Sequence, residues 1–545
     1  MQIFRRDFVK FATVGVAGTA VSPLFPSPAH ALSTQSKVTG YTGYIFDVRA
    51  FGAVADGKAV DTPAFNKAID AAAEAGGGTV HVPAGVYLCY SIRLKSRICL
   101  HLAQGSVILG APVSRTGQDK REYDAAESNS PWEEYQDYGH NHWHNSLIWG
   151  EGLHDVSIIG PGLIWGENLS RGGKGLSPRD QGLPRAEDPG VANKALALKS
   201  CHNVTLRDFS ILQGGHMGIL ATAVDNLTID NLKIDTNRDA MNIDCCWNVR
   251  ISNCSVNSPW DDGICLKSSF SLGYARATEN VTIANCYVTG AYEMGTMLDG
   301  SYKKFEPNSK NGIPTGRIKL GTSSNGGFKN IAISNCVFDT CRGLSLECVD
   351  GGQLEDIMIS GITMRNITTT PIFLRLGSRL SGPKGITTGT MKRITISNVV
   401  SYNSESEYAA IVCGIPGHLI EDVKFDNIYL HHRGGGTEKM AGLYPPEAES
   451  TYPEPKMFGT LPAHGFFIRH ARNIDLTGIE IAVERPDARP AIWLEDVYDA
   501  AVMRLKIPRE PHTTALMLQN CHQISIHGSK GISDMDISDV VRQKI

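Results

Sequence analysis

From about residue 200 onward, apolar and polar residues alternate in short runs, and each run opens on Asn or a residue standing in for it. The phrases Asn203-Val-Thr-Leu, Asn226-Leu-Thr-Ile, Asn248-Val-Arg-Ile, Asn280-Val-Thr-Ile, Asn330-Ile-Ala-Ile and Asn473-Ile-Asp-Leu carry the pattern, with degenerate copies at Asp356, Arg393 and Asp422. Alternation with a period of two, rich in β-branched residues and bounded by turn formers, predicts short strands. The first copies are 23 and 22 residues apart, and a second strand phrase such as Asn253-Cys-Ser-Val or Asn335-Cys-Val-Phe follows most of them. With no helical period between copies, the chain reads as all-β, a right-handed parallel β-helix. One coil cannot bury its own inward face, whereas coils stacked at about 4.8 Å share a continuous core. Asn at each turn tolerates left-handed backbone and can form ladders along the stack.

Ahead of the repeats the pattern changes. Asp61-Thr62 with Pro63 starts a helical segment that runs to Glu74, and Gly76 stops it. This helix is expected to cap the open end of the stack and keep its edge strands from pairing with other chains, in a cap spanning about 44–112. Two stretches, about 116–145 and 431–462, show no strand phrase and read as loop insertions into a single domain covering 32–545. The first is rich in aromatics and histidines (Trp132, Tyr135, Tyr138, His140, His142, Trp143, His144). A metal site on the three histidines is one reading; a sugar-stacking loop is preferred, because nothing in the spacing sets a coordination geometry and aromatic rings suit sugar faces.

Composition narrows the function classes. With 42% hydrophobic and 20% charged residues, the chain can bury enough apolar surface to fold. Its 52 Lys+Arg against 56 Asp+Glu, without a basic run, exclude a nucleic-acid footprint. No apolar stretch beyond the N-terminus reaches the roughly 18 residues of a membrane helix, so no membrane partner is expected once the leader is gone. Residues 1–31, with Arg5-Arg6, an apolar run from Phe11 to Val21 and the small-residue site Ala29-His30-Ala31, resemble a twin-arginine signal and imply a periplasmic or secreted protein. The 13 cysteines are odd in number and lie in apolar runs, which reads as buried free thiols rather than disulfides.

Candidate chemistry lies in Asp235-Thr-Asn-Arg-Asp-Ala-Met-Asn-Ile-Asp and in Asn257-Ser-Pro-Trp-Asp-Asp-Gly-Ile-Cys-Leu-Lys. Asp239 and Asp261 are 22 residues apart, one coil, so they should stack on one face with Asp262 beside them. Like charges raise one another's pKa and favour one protonated member, and an acid beside an ionised base is what glycoside hydrolysis requires. Turn aspartates and calcium-binding clusters are the alternatives. Trp260 and Lys267, flanking the pair, suit an acidic sugar better.

These motifs resemble glycoside hydrolase family 28, the polygalacturonases and rhamnogalacturonan hydrolases. Asn237-Arg238-Asp239-Ala240 is similar to the family's Asn-Thr-Asp-Gly, Asp261-Asp262 to its Asp-Asp, and Lys267-Ser268-Ser269 to its Lys-Ser-Gly; the cap resembles that of pectin-degrading β-helix proteins. The resemblance implies an inverting mechanism with Asp261 as general acid and Asp239 and Asp262 activating water, the pair standing roughly 6.5–9.5 Å apart. Two departures stand out: Gly290-Ala-Tyr-Glu-Met-Gly295 has no His where the family carries Gly-His-Gly, and the literal Arg317-Ile318-Lys319 competes with Leu344-Ser345-Leu346-Glu347 for the Arg-Ile-Lys slot. Lys267, Arg317, Lys319, His216, Trp260, Asp244 and Arg375 are the expected substrate contacts, Arg375 as a uronate carboxylate clamp. The expected function is hydrolysis of a pectic glycan without cofactor or metal, exo-acting because the insertions can wall off the Asp face. A lyase or epimerase on the same scaffold, or a binding β-helix without catalysis, are the alternatives.

Overall fold

The computed structural model describes residues 41–42 and 44–545, apart from 114–121, 173–183, 307–312, 406 and 508–513. The expected leader, 1–31, lies outside the described residues. From Gly40 onward the chain forms one compact unit, a parallel β-helix with three strand ladders. One ladder holds the Asn phrases: His202–Arg207 pairs with Asp225–Asp230, which pairs with Trp247–Ser252 and then Thr278–Ala284. The second is made of three-residue strands such as Lys233–Asp235 and Ser255–Asn257. The third stacks Lys194–Lys199, Met217–Thr222, Asp239–Asp244, Ile264–Ser268, Ile318–Ser324 and Leu344–Cys348. From Gln353–Arg365 onward the first two ladders run together as single long, bent strands.

The repeat phrase works as its chemistry demands. Val204 and Leu206 sit in register with Leu227 and Ile229, Val249 and Ile251, and Val281 and Ile283, all buried in one core that runs the length of the stack. Each aliphatic side chain so buried contributes about 1.5–3 kcal/mol. Every residue that opens a phrase has positive φ, from Asn226 at 52° to Asp356 at 60°. The Asn side chains link coil to coil: Asn226 Nδ2 donates to Asn203 Oδ1 (3.0 Å), Asn248 to Asn226 (3.2 Å), Asn280 to Asn248 (3.1 Å) and Asn330 to Asn280 (2.8 Å). Asn248→Ala should therefore lose two ladder bonds and incur the left-handed backbone penalty of about 1–2 kcal/mol. Chemical denaturation of Asn248→Gly beside it separates the contributions, because Gly removes the ladder bonds but tolerates the backbone.

The ends are closed differently. The helix Thr62–Glu74 covers the first coils with Phe65, Ala68, Ile69 and Ala72, as the sequence reading expects. Asp61, however, does not cap it; its carboxylate accepts the Val54 and Ala55 N–H groups of the preceding turn (2.7 and 3.1 Å). At the far end Met535–Lys544 pairs antiparallel to Leu516–His527. All 13 cysteines are free and every one but Cys99 is buried, in keeping with their reading as small apolar residues. Of the two insertions, the second begins later than its sequence suggests, because the strand Ile420–Gly434 runs on past His431. Its remainder carries only the short helix Glu438–Ala441 and a turn at Pro455–Phe458.

Candidate active site

The third ladder brings three carboxylates together. Asp239 opens its strand; the Ala240 N–H donates to the Asp262 carbonyl (3.1 Å), so Asp262 falls beside Asp239 in the next coil. Arg238 and Asp261, one residue earlier in each coil, meet through their side chains (2.9 Å). One carboxylate oxygen from each of Asp239, Asp261 and Asp262 lies within 4.8 Å of the others. This is shorter than the 6.5–9.5 Å expected of an inverting acid–base pair, because the side chains converge rather than diverge across one coil spacing.

Their surroundings divide their protonation. Burial and the charge of Asp261 push the Asp239 carboxyl well above the usual range. Burial also works to raise Asp261, but the Arg238 guanidinium outweighs it and holds that carboxyl well below the usual range. Arg238 makes the contact through Nη2 (2.9 Å) and Nε (3.3 Å). For Asp262, Lys319 (3.5 Å) and Arg317 (2.8 Å) outweigh burial in the same sense. A proton is thus favoured on Asp239 over Asp261 or Asp262.

Arg317 and Lys319 are 1% and 2% exposed, and this corrects their expected role. Arg317 donates to Asp262 and to Glu454 (2.7 Å), while Lys319 lies between Asp262 and Glu347 (3.2 Å). Both are buried cations beneath the site, Lys319 in the strand Ile318–Ser324 that stacks directly on the Asp coil and Arg317 just ahead of it. Arg375 is likewise corrected: its guanidinium donates to the carbonyls of Gly414 (2.9 Å), Glu447 (2.9 Å) and Ala448 (3.1 Å), tying down the second insertion. Asp244 is buried and accepts from the Ser269 N–H (2.8 Å) and hydroxyl, which removes it from sugar contact. Lys267, in register with Asp244, is also buried, though less completely, at 9% exposure. His216 faces Arg238, with Nδ1 3.1 Å from Nη1.

Both insertions reach this face. Trp260 and Asp261 line a cavity of about 610 Å³ together with Arg342, Tyr452, Glu454 and Lys456, the last three from the second insertion. From the first, Asp137 meets His216 (3.5 Å) and His140 (2.6 Å). Two of the aromatic rings of that insertion are not open sugar platforms: Trp143 is buried with its Nε1 on Thr222 (2.9 Å), and Tyr138 stacks on His142 (3.8 Å). Nor do the three histidines converge on one point. His140 turns to Asp137, and His144 joins Glu127 and Glu151 in a separate cluster that already pairs with Lys199 (2.9 Å). The sequence reading missed Arg342, Tyr452, Glu454 and Lys456 because nothing in a loop's spacing says where it folds. Arg238 was missed as well, although the motif carried its signal, an Arg where the resemblance puts Thr.

Residues 45–145 match the family model for rhamnogalacturonase A/epimerase, pectate lyase-like, and residues 194–366 match that of the right-handed β-helix region. A probable polygalacturonase of Vitis vinifera is 25% identical over 385 residues, covering 64% of this chain and 72% of that protein. The chain is a homologue of the polygalacturonases. Mannuronan C5-epimerase AlgE3 of Azotobacter vinelandii is 43% identical, but over only 72 residues, 13% of this chain and 4% of that enzyme. Among solved structures, the fold is shared with a Thermotoga maritima exopolygalacturonase (TM-score 0.54, 15% identity, covering 92% of this chain and 95% of that one). It is shared also with a Yersinia enterocolitica family 28 exopolygalacturonase (TM-score 0.57, 18% identity, 86% and 78%). The polygalacturonase likeness thus covers most of the chain, whereas the epimerase likeness is local.

Proposed function

We propose that the protein is a family 28-like glycoside hydrolase that removes galacturonate or a related acidic sugar from the end of pectic oligosaccharides. The observation that carries this reading is the trio itself, three carboxylates within 4.8 Å of one another, with Asp261 lining a cavity. The resemblance assigns Asp261 the acid that protonates the glycosidic oxygen and Asp239 and Asp262 the bases that activate water, although in the resting site burial favours the proton on Asp239. Inversion rests on the resemblance, since the carboxylate spacing by itself does not call for it. Exo action is supported by Tyr452, Glu454 and Lys456, which form one wall of the cavity over Asp261; the export expected from the leader would put the enzyme where polymer fragments are met.

Incubation with homogalacturonan, rhamnogalacturonan and their oligosaccharides tests the reading. Reducing ends should appear without the ultraviolet absorbance of an unsaturated uronate; that absorbance would mean elimination and overturn hydrolysis. Proton magnetic resonance of fresh product should show the inverted anomer. Viscosity of the polymer should fall little at low conversion, whereas a rapid early fall would mean internal cleavage.

A metal prediction follows from charge. The three carboxylates are already matched by Arg238, Arg317 and Lys319, with Lys267 nearby, so chelation with EDTA should leave activity unchanged. Loss on chelation with recovery on calcium would favour a lyase, in which calcium neutralises the uronate.

A further inference from the structure

An acid catalyst must carry a proton, yet Arg238 grips Asp261 through two N–H groups at 2.9 and 3.3 Å. A guanidinium fork of this kind matches any carboxylate, including one on a sugar. The pair is not sealed: the Arg238 and Asp261 side chains are 25% and 28% exposed, and Asp261 lines the cavity. Other charged groups facing the pair are Asp239 and Asp262 from neighbouring strand positions and Lys319 from the next coil. His216 comes from the coil before, and Asp137 from the first insertion.

We infer that Arg238 is the clamp for the substrate's own carboxylate, and that a uronate arms the enzyme by drawing Arg238 away from Asp261. This rests on the hydrolase reading and deepens it to a requirement for an acidic sugar. In the resting site the single proton sits on Asp239. When the uronate carboxylate takes the two guanidinium N–H groups, Asp261 loses its counter-ion, and the proton leaves the Asp239 oxygen for an Asp261 oxygen. Asp239 is then ionised and able to act as base. Asp261 gives the proton to the glycosidic oxygen as the anomeric C–O bond breaks. Water adds its hydroxide to the anomeric carbon and its remaining proton returns to Asp239. Departure of the uronate lets Arg238 close on Asp261, and the site is back where it began, with one water consumed and no proton gained or lost.

The test compares digalacturonate with its carboxyl-reduced counterpart, galactobiose, in the wild type, Arg238→Thr and Arg238→Lys. Wild type should strongly prefer digalacturonate. Arg238→Thr should lose kcat/KM on digalacturonate by about 10- to 150-fold, the range for a hydrogen bond to a charged group, and lose less on galactobiose, which offers the clamp no carboxylate. Arg238→Lys keeps the charge without the fork, so it should keep the fold and lose an intermediate share of the preference. Equal loss on both substrates, or no preference in the wild type, would overturn the clamp. Calorimetric titration with galacturonate and with galactose gives a readout free of turnover: only galacturonate binding should weaken in the variants. If galacturonate binding depends on Arg238 but neither disaccharide is cleaved, the hydrolase reading falls and the clamp stands. Cleavage of digalacturonate with unchanged galacturonate affinity in Arg238→Thr removes the clamp and leaves the hydrolase.

Discussion

Asp239→Asn and Asp261→Asn should each lower kcat by about 10²- to 10⁴-fold, the usual worth of a positioned proton-transfer group, while circular dichroism and sugar binding stay close to wild type. An amide keeps the shape of the side chain but cannot pass the proton. The pH profile adds a sign. Because burial and Asp261 raise the Asp239 carboxyl, the proton shared by the trio persists above the ordinary carboxylate range, and activity should fall only as pH rises through that elevated value. On the acid side, a second proton on Asp262 or Asp261, both held low by their cations, should end activity at low pH. Wild-type turnover in either variant would remove these residues from the chemistry.

Arg317→Met should be the most destabilising of the substitutions considered. Its guanidinium lies between Asp262 (2.8 Å), Glu454 (2.7 Å) and Glu347 (3.9 Å), nearly out of reach of water. Deleting it leaves three carboxylates to Lys319 and, at the rim, Arg342. Removing one partner from a buried ion-pair network costs about 3–5 kcal/mol, because the remaining charges stay buried without compensation. The denaturation midpoint should drop accordingly, and Arg317→Lys should recover part of the loss. An unchanged midpoint would show that Glu454 and Glu347 take up protons or reach solvent at little cost.

How far the sequence could be read follows from what each signal encodes. The Asn phrase specifies a backbone state and a side-chain direction at once, so the coil, its period and its ladder were all legible from Asn203, Asn226 and Asn248. The helix at Thr62–Glu74 was equally plain, since Pro63 and Gly76 act locally. The meeting of Asp239, Asp261 and Asp262 on one face followed from the period, but the register differs by one residue and sets Asp239 beside Asp262 rather than Asp261. What the period cannot say is what lies over a face. Arg317 and Lys319 were on the expected ladder, but Glu454, 137 residues from Arg317 in sequence, turns them from substrate contacts into buried counter-ions. Arg375 is occupied by the Glu447 and Ala448 carbonyls for the same reason.

The position of Glu454 in the chain also sets a timetable. A nascent polypeptide emerging from the ribosome completes the coil of Asp261 and Asp262 while the cavity wall formed by Tyr452, Glu454 and Lys456 is still unmade. Until that wall arrives, Arg317 lacks one of its carboxylates and the cavity lacks a side. The cavity is therefore completed well after the coils that carry the aspartates, and a translation product interrupted before Tyr452 would hold all three without their wall.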